Sequence, residues 1–390
     1  MNAPRHERKA TMHRRTFLSQ SMSGLGAWLA VRSASLAQTT KKIQIRGAYG
    51  SPKTFWEKGK RLNDYGINAV FVHSGAIDEA LVRRARDEGA KVFAEFATFN
   101  GDGWLTRRVG EQEQRIEEHA DAWPIDASGQ PSPPQTWFLG VCPTNQTFVE
   151  AKLAALQQLV TTHRLDGVWL DYMHWHAQFE DPTPLLPETC FNESCVKAFQ
   201  ERAQLSVKGS KPEEWARDIL RRHEVSWRSW RTAVLTDFAR RCREVIWQHV
   251  PQMMLGNYQC AWRDEEYGGA RRRILGLDVE RLADVFDVLS PMTYHARSGR
   301  SVRWVEENVK WLSKTLNLKG APSEKPRIWP IVQAWSDPKG NKVSPEEFEK
   351  ALRYGIAGGA TGVMMFTLGA VAEDEAKLDV LKKVYGEMRS

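Results

Sequence analysis

The sequence predicts an α/β protein closed into a (β/α)8 TIM barrel, one domain with loop insertions after the third and fourth strands. Three observations carry this expectation. From residue 43 onward, eight short β-rich runs alternate with helical stretches. That alternation builds a parallel sheet covered by helices. The chain has 390 residues, and a barrel of this class takes about 250 residues before insertions are added. No internal repeat, low-complexity tract or interdomain linker divides it.

The strand runs, in order, are 43–49, 69–73, 91–96, 167–172, 254–259, 285–292, 327–333 and 362–367. The clearest helix precedes the fifth strand. There Trp230, Val234, Leu235, Phe238, Val245 and Ile246 recur at helical spacing, with Arg240, Arg241, Arg243 and Glu244 between them, an amphipathic pattern. Gly66, Gly89 and Gly359 stand at helix-to-strand turns, where glycine ends helices. The first insertion, 100–145, is rich in Gly, Pro and Trp. The second, 177–225, holds Pro182, Pro184 and Pro187, then a cysteine pair and helical material. Both follow strand ends, the face on which barrel enzymes build their sites.

Charge and composition narrow the function classes. Hydrophobic residues make up 42% of the chain and charged residues 26%, enough apolar material for a sizeable core. The formal net charge is +7. Residues 1–37 carry six cations against Glu7 alone, a net +5 that leaves +2 for the rest. So weak a charge gives no electrostatic case for nucleic acid. His13-Arg14-Arg15-Thr16-Phe17-Leu18 resembles the twin-arginine export motif. A short apolar stretch, 22–31, and a small-x-small site at Ser35-Leu36-Ala37 follow it. Residues 1–37 are therefore expected to be a signal segment read by the twin-arginine export machinery, and 38–390 the barrel. The apolar stretch is too short for a membrane anchor. Export of this kind leads to the periplasm or beyond. Of the five cysteines, Cys190 and Cys195 are spaced to bridge in an oxidising compartment, and that pair alone is too few for zinc.

The chemistry-bearing residues follow from strand parity. In Leu165-Asp166-Gly167-Val168-Trp169-Leu170-Asp171-Tyr172, Trp169 and Asp171 share one face while Val168 and Leu170 share the other. The Val/Leu face suits helix packing, which points Asp171 inward at the carboxyl end of the fourth strand. Glu95 alternates with Phe93 and Ala97 on the neighbouring third strand and falls within reach of the same pocket. Carboxylates held close have their pKa values pushed apart, as acid/base work requires. After the fifth strand comes Trp262-Arg263-Asp264-Glu265-Glu266-Tyr267. Glu265 is the candidate there for a general acid facing Asp171. Tyr49, His73, Tyr294, Gln333 and Trp335 fall at the ends of other strands, and His174 and Trp175 follow Asp171. Together with Trp262 they offer hydrogen-bonding tips and aromatic faces suited to sugar rings. Phosphate loop, dinucleotide fingerprint and nucleophile elbow are all missing from the sequence, so no cofactor is expected. The His174-x-His176 pair follows the fourth strand, whereas metal-dependent barrel hydrolases often carry such a pair on the first, so no metal is expected.

Three segments carry a family resemblance. They are Phe138-Leu139-Gly140-Val141-Cys142-Pro143-Thr144, the run from Leu165 to Trp175, and Cys190-Phe191-Asn192-Glu193-Ser194-Cys195. Together they resemble the uncharacterised glycoside-hydrolase-like barrels, which are distantly similar to the alpha-amylase and alpha-galactosidase groups. The resemblance runs through most of 43–370. It implies a glycosidase fold and Asp171 as nucleophile. Such barrels often show Cys-x-Cys-x-x-Cys after the strand; here Asn192 stands at the middle position. Met292-Thr293-Tyr294 also resembles the sixth strand of chitinase-type barrels. The acid run of chitinases is absent from the fourth strand, so that activity does not carry over.

Three functions are compatible with this reading. The first is an exported glycoside hydrolase acting on an oligo- or polysaccharide, with Asp171 as nucleophile and Glu265 or Glu95 as acid/base. The second is a barrel that binds carbohydrate without cleaving it. The third is a metal-dependent hydrolase or deacetylase built on His174, His176 and Asp171.

Overall fold

Strand residues with β-branched or aromatic side chains on alternating faces set up the sheet. The computed structural model describes residues 43–109, 112–132, 138–336 and 341–389, and the expected export segment 1–37 lies outside them. Eight parallel strands form the barrel: β1 (Ile45–Tyr49), β2 (Ala69–His73), β3 (Lys91–Ala97), β4 (Gly167–Asp171), β5 (Met254–Cys260), β6 (Val288–Thr293), β7 (Ile331–Gln333) and β8 (Gly362–Phe366). Each pairs in parallel with the next, and β8 pairs with β1, which closes the ring. The seventh run is split. Arg327–Ile328 pairs low on β6, while β7 proper pairs higher, with Met292 and Thr293. Pro330 lies between the two pieces, where its missing N–H interrupts the ladder.

Parity sorts the side chains as expected. Val168 and Leu170 join the large outer core between sheet and helices, whereas Trp169 joins the inner core with Phe71, Phe93 and Trp329. Inside the barrel Phe71 and Phe93 stack at 4.8 Å and Trp169 lies over Trp329 at 5.6 Å. The Trp169 indole N–H donates to Ser290 Oγ at 2.9 Å, so its one polar atom is satisfied where water cannot reach. Gly256 on β5 makes room for this ring. A Cβ there would stand 2.3 Å from Trp169 Cε2, a distance no side chain tolerates.

Among the helices, α1 (Glu79–Asp87), α2 (Gln146–Thr162), α3 (Glu193–Ala203), α4 (Pro212–Arg222), α5 (Glu224–His249), α6 (Arg303–Thr315), α7 (Pro345–Gly355) and α8 (Glu375–Glu387) cover the outside. α5 contains the amphipathic run read from the sequence and buries Trp230, Leu235, Phe238 and Ile246. Gly66 and Gly89 take positive φ at the turns into β2 and β3, as C-caps do. At the turn into β8 the left-handed residue is Gly358, not Gly359. Both insertions are present. The one after β3 contains a small antiparallel hairpin, Thr106–Val109 with Gln112–Arg115; the one after β4 leads into α3 and α4.

Candidate active site

A cavity of about 300 Å³ opens over the carboxyl ends of the strands. Tyr49, Asp171, Met292 and Phe366 reach it from the ends of β1, β4, β6 and β8, Phe138 and Glu180 from the two insertions, and His174 from the segment just after β4. The strand ends supply fixed positions and the insertions supply walls.

Asp171 ends β4, and the residue after it, Tyr172, takes φ +55°. That left-handed turn brings the Tyr172 N–H back onto Asp171 Oδ1 at 2.8 Å and costs backbone energy that a non-glycine residue spends only where the surroundings impose it. Glu95 is level with Trp169 in the β3–β4 register, while Ala97 is level with Asp171. Glu95 is therefore two residues deeper, about 6–7 Å down the strand. Its Oε2 accepts from Tyr49 OH at 3.3 Å, with His73 Nε2 at 4.0 Å.

Burial is the leading cause of the unusual acidities here. Asp171 is pushed up to about 8 by burial and then by the charge of Glu95. Glu95 is pushed up by burial, against the pull of the Tyr49 hydroxyl and Lys152. The His174 imidazole is driven down to about 4 by burial, so it is neutral at pH 7.

The structure adds a carboxylate that strand parity could not find. Glu180 lines the cavity from the loop after β4. It is raised to about 7, first by burial, with Arg297 pulling it back down and Asp171 pushing it further up. Arg297 Nε lies 3.2 Å from Glu180 Oε2, and Arg297 Nη2 donates to Asp181 at 2.9 Å. The only signal in the sequence is an acidic pair, Glu180-Asp181, beside Phe179 and Pro182 in an aromatic insertion.

The remaining sequence candidates divide. Tyr49, His174, Tyr294 and Trp335 line the cavity with Asp171. His73 stands at the rim, its side chain 60% exposed above Glu95. Gln333 is fully buried below the wall. Its Oε1 accepts from Arg297 N–H at 2.9 Å and its Nε2 donates to the Trp335 carbonyl at 3.1 Å, so it holds both wall residues without facing the cavity.

Three expectations are corrected. Glu265 does not face Asp171: its side chain is 67% exposed and lies 3.3 Å from Arg263. The acids beside it are also spent on arginines, Asp264 on Arg271 and Glu266 on Arg300, which pins the whole loop away from the cavity. Trp175 is fully buried on the opposite side of its strand extension. It packs against Trp230, and its indole N–H donates to the Arg231 carbonyl at 3.1 Å. The left-handed Tyr172 resets the alternation, so His174 faces the cavity and Trp175 the helices. Trp262 is buried behind the wall, against Phe179 and Tyr267.

The cysteines also depart from the sequence reading. Cys190 and Cys195 are free thiols that face Cys142 rather than bridging each other. Among the described residues, His174, His176 and Asp171 do not form a three-donor group; Cys142, Cys190 and Cys195 do.

No protein-family model matches the chain, and no curated protein does. Solved structures do match in fold. The PgaB (BpsB) glycoside hydrolase domain from Bordetella bronchiseptica superposes with a TM-score of 0.62 at 12% identity, covering 87% of this chain and 98% of that one. The catalytic domain of beta-amylase from Paenibacillus polymyxa gives 0.56 at 9%, covering 88% and 98%. A beta-galactosidase from the psychrophilic Marinomonas ef1 gives 0.61 at 12%, covering 88% of this chain and 59% of that one. At such identities the likeness establishes the (β/α)8 fold.

Proposed function

We propose that this chain is an exported glycoside hydrolase that cleaves an oligo- or polysaccharide, with Asp171 and Glu180 as its carboxylate pair. The observation that carries the proposal is that both acids reach one aromatic-walled cavity at the carboxyl end of the barrel. Glycosidic bond cleavage needs one protonated and one ionised carboxyl group flanking the bond. Among the described residues no cation is paired with Asp171, and it feels the charge of Glu95, which favours its protonated form. Glu180 has Arg297 against it, which favours its ionised form. Asp171 then protonates the leaving oxygen, and Glu180 attacks the anomeric carbon or activates water. This assignment exchanges the nucleophile role that the family resemblance implies for Asp171. Glu180 takes the place expected of Glu265, and Glu95, one layer down, tunes Asp171.

Tyr49, Phe138, Tyr294, Trp335 and Phe366 offer faces for the C–H groups of a sugar ring. The glycosidase folds of the structural neighbours fit this reading, as does the twin-arginine motif at Arg14-Arg15 for export to the periplasm or beyond.

The test is reducing-end release from a panel of polysaccharides, followed by comparison of Asp171→Asn and Glu180→Gln on aryl glycosides. An aryl oxide departs without a proton. Asp171→Asn should therefore keep aryl glycoside turnover while losing polysaccharide cleavage, and Glu180→Gln should lose both. Loss of both by Asp171→Asn alone returns the nucleophile role to Asp171. Sugar binding without any turnover by the wild type replaces the enzyme with a carbohydrate-binding barrel.

A further inference from the structure

We propose that Cys142, Cys190 and Cys195 form a three-sulfur site for a thiophilic ion of the zinc class, its fourth position taken by water. The site stands apart from the carboxylates and does not rest on the glycosidase reading.

The three sulfur atoms lie within 4.8 Å of one another, all buried. Cys142 Sγ and Cys195 Sγ are 3.1 Å apart. Zinc–sulfur bonds of about 2.3 Å in a tetrahedron place sulfurs about 3.8 Å apart, a spacing that the cluster reaches with shifts of about an ångström or less. Soft thiolates select zinc or copper(I) over magnesium or calcium.

Hydrogen-bond donors surround the three sulfur atoms. Peptide N–H groups of Ile125 and Asn192 are directed at the Cys190 sulfur, and that of Thr144 at the Cys142 sulfur. The Thr144 hydroxyl lies 2.9 Å from Cys195 Sγ and 3.1 Å from Cys142 Sγ. Such second-shell donors orient and stabilise metal-bound sulfur. The fully buried Arg231 senses both Cys190 and Cys195. Three thiolates, one divalent ion and this guanidinium sum to zero net charge, the condition for burying charges.

Asn192 Nδ2 donates to the carbonyls of Asp121 and Trp123 at 3.1 and 2.7 Å, which fixes the loop that carries Cys190 and Cys195. An open groove of about 380 Å³ between α2, α3 and α5 is lined by Thr144 and Ser194. Thr144, which also touches two of the sulfurs, separates it from the cluster, and water from this side would fill the fourth position. The ion would fasten the insertion after β3, through Cys142, to the insertion after β4, through Cys190 and Cys195. Phe138 and Glu180, which stand on those two insertions, would be steadied together.

The experiment uses the full chain, purified under reducing conditions without chelator and titrated with Zn2+ or Cd2+. One equivalent of metal should survive desalting, and Cd2+ should raise a thiolate-to-metal charge-transfer band. Removing the metal with a strong chelator should lower the melting temperature, and Zn2+ should restore it. Cys195→Ser should abolish the band, whereas Cys260→Ser, outside the cluster, should keep it. If Cys195→Ser does not fold, the wild-type stoichiometry and band decide alone. Folded wild type that retains no metal and shows no band overturns the proposal. So does a Cys142–Cys195 disulfide in the unreduced protein, or a band that survives Cys195→Ser.

Discussion

Asp171 shows what a half-buried carboxyl group beside a second acid does to stability. Its acidity in the fold is pushed up to about 8, against about 3.9 in an unfolded chain. Between those values the folded state binds a proton that the unfolded state lacks. Stability from this group is complete below pH ~4 and is lost as pH rises to about 8. Glu95 and Glu180 are raised too and act with the same sign. The wild type should therefore melt at a higher temperature at pH 5.5 than at pH 8. Asp171→Asn, which cannot ionise, should narrow that gap and gain on the order of 1–2 kcal/mol at pH 8. Thermal melts of both proteins at the two pH values check this; identical pH dependence would mean that Asp171 is not buried as a proton-binding acid. Asp171 and Glu95 were legible in the sequence because a strand alternates its faces, and that rule holds up to the last strand residue. Glu180 was not legible, because it stands on an insertion with no period to read.

At the scale of elements, the segment after β4 decides which aromatic rings meet a ligand. One left-handed residue, Tyr172, reverses the parity that extrapolation from the strand would give Trp175. Its ring fills the space between β4 and α5, with the Arg231 guanidinium 4.7 Å from its centroid. Trp175→Ala should accordingly cost about 3–5 kcal/mol of stability, read by denaturant titration, and a change in sugar affinity at unchanged stability would contradict its place in the core. Phe138 behaves in the opposite way. It stands in the cavity wall, parallel to Tyr172 at 5.5 Å and 4.7 Å from His174. A ring contact of this kind contributes about 0.5–1.5 kcal/mol. Phe138→Ala should therefore raise KM about 2- to 10-fold with a smaller change in kcat, and an unchanged KM would remove this wall from the subsite. Glu265→Ala should leave kcat/KM unchanged, since its side chain is exposed and pairs with Arg263. The loop after β5 misled the sequence reading for a physical reason. Three consecutive acids point equally to a pocket and to a ladder of arginine pairs, and the arginines that settle the matter, Arg271 and Arg300, come later in the chain.

The whole molecule is a ring, and a ring must be locked where the chain's early and late strands meet. The eight-strand closure was legible because every barrel strand repeats one signal, and eight repeats overcome errors at individual ends. The lock was not, since it joins residues more than 300 positions apart. Tyr385 on α8 is fully buried, and its hydroxyl donates to the Gly47 carbonyl of β1 at 2.7 Å, with the Val363 carbonyl of β8 at 3.4 Å. It thus spans the β1–β8 seam from outside while Leu378, Leu381 and Val384 pack beside it. The seam's register pairs Arg46 with Val363 and Gly47 with Met364, so the two carbonyls that the hydroxyl meets stand one residue apart on neighbouring strands. Tyr385→Phe keeps the ring and removes the hydroxyl, leaving two buried carbonyls without that donor. The expected loss is about 1–2 kcal/mol. Because the seam is one of eight equivalent joints, the loss should appear as earlier exchange of the β1 and β8 amides, with those of β4 and β5 unaffected. Hydrogen exchange followed by mass spectrometry reads both, and faster exchange spread evenly over all eight strands would show that the ring opens as one unit rather than at this seam.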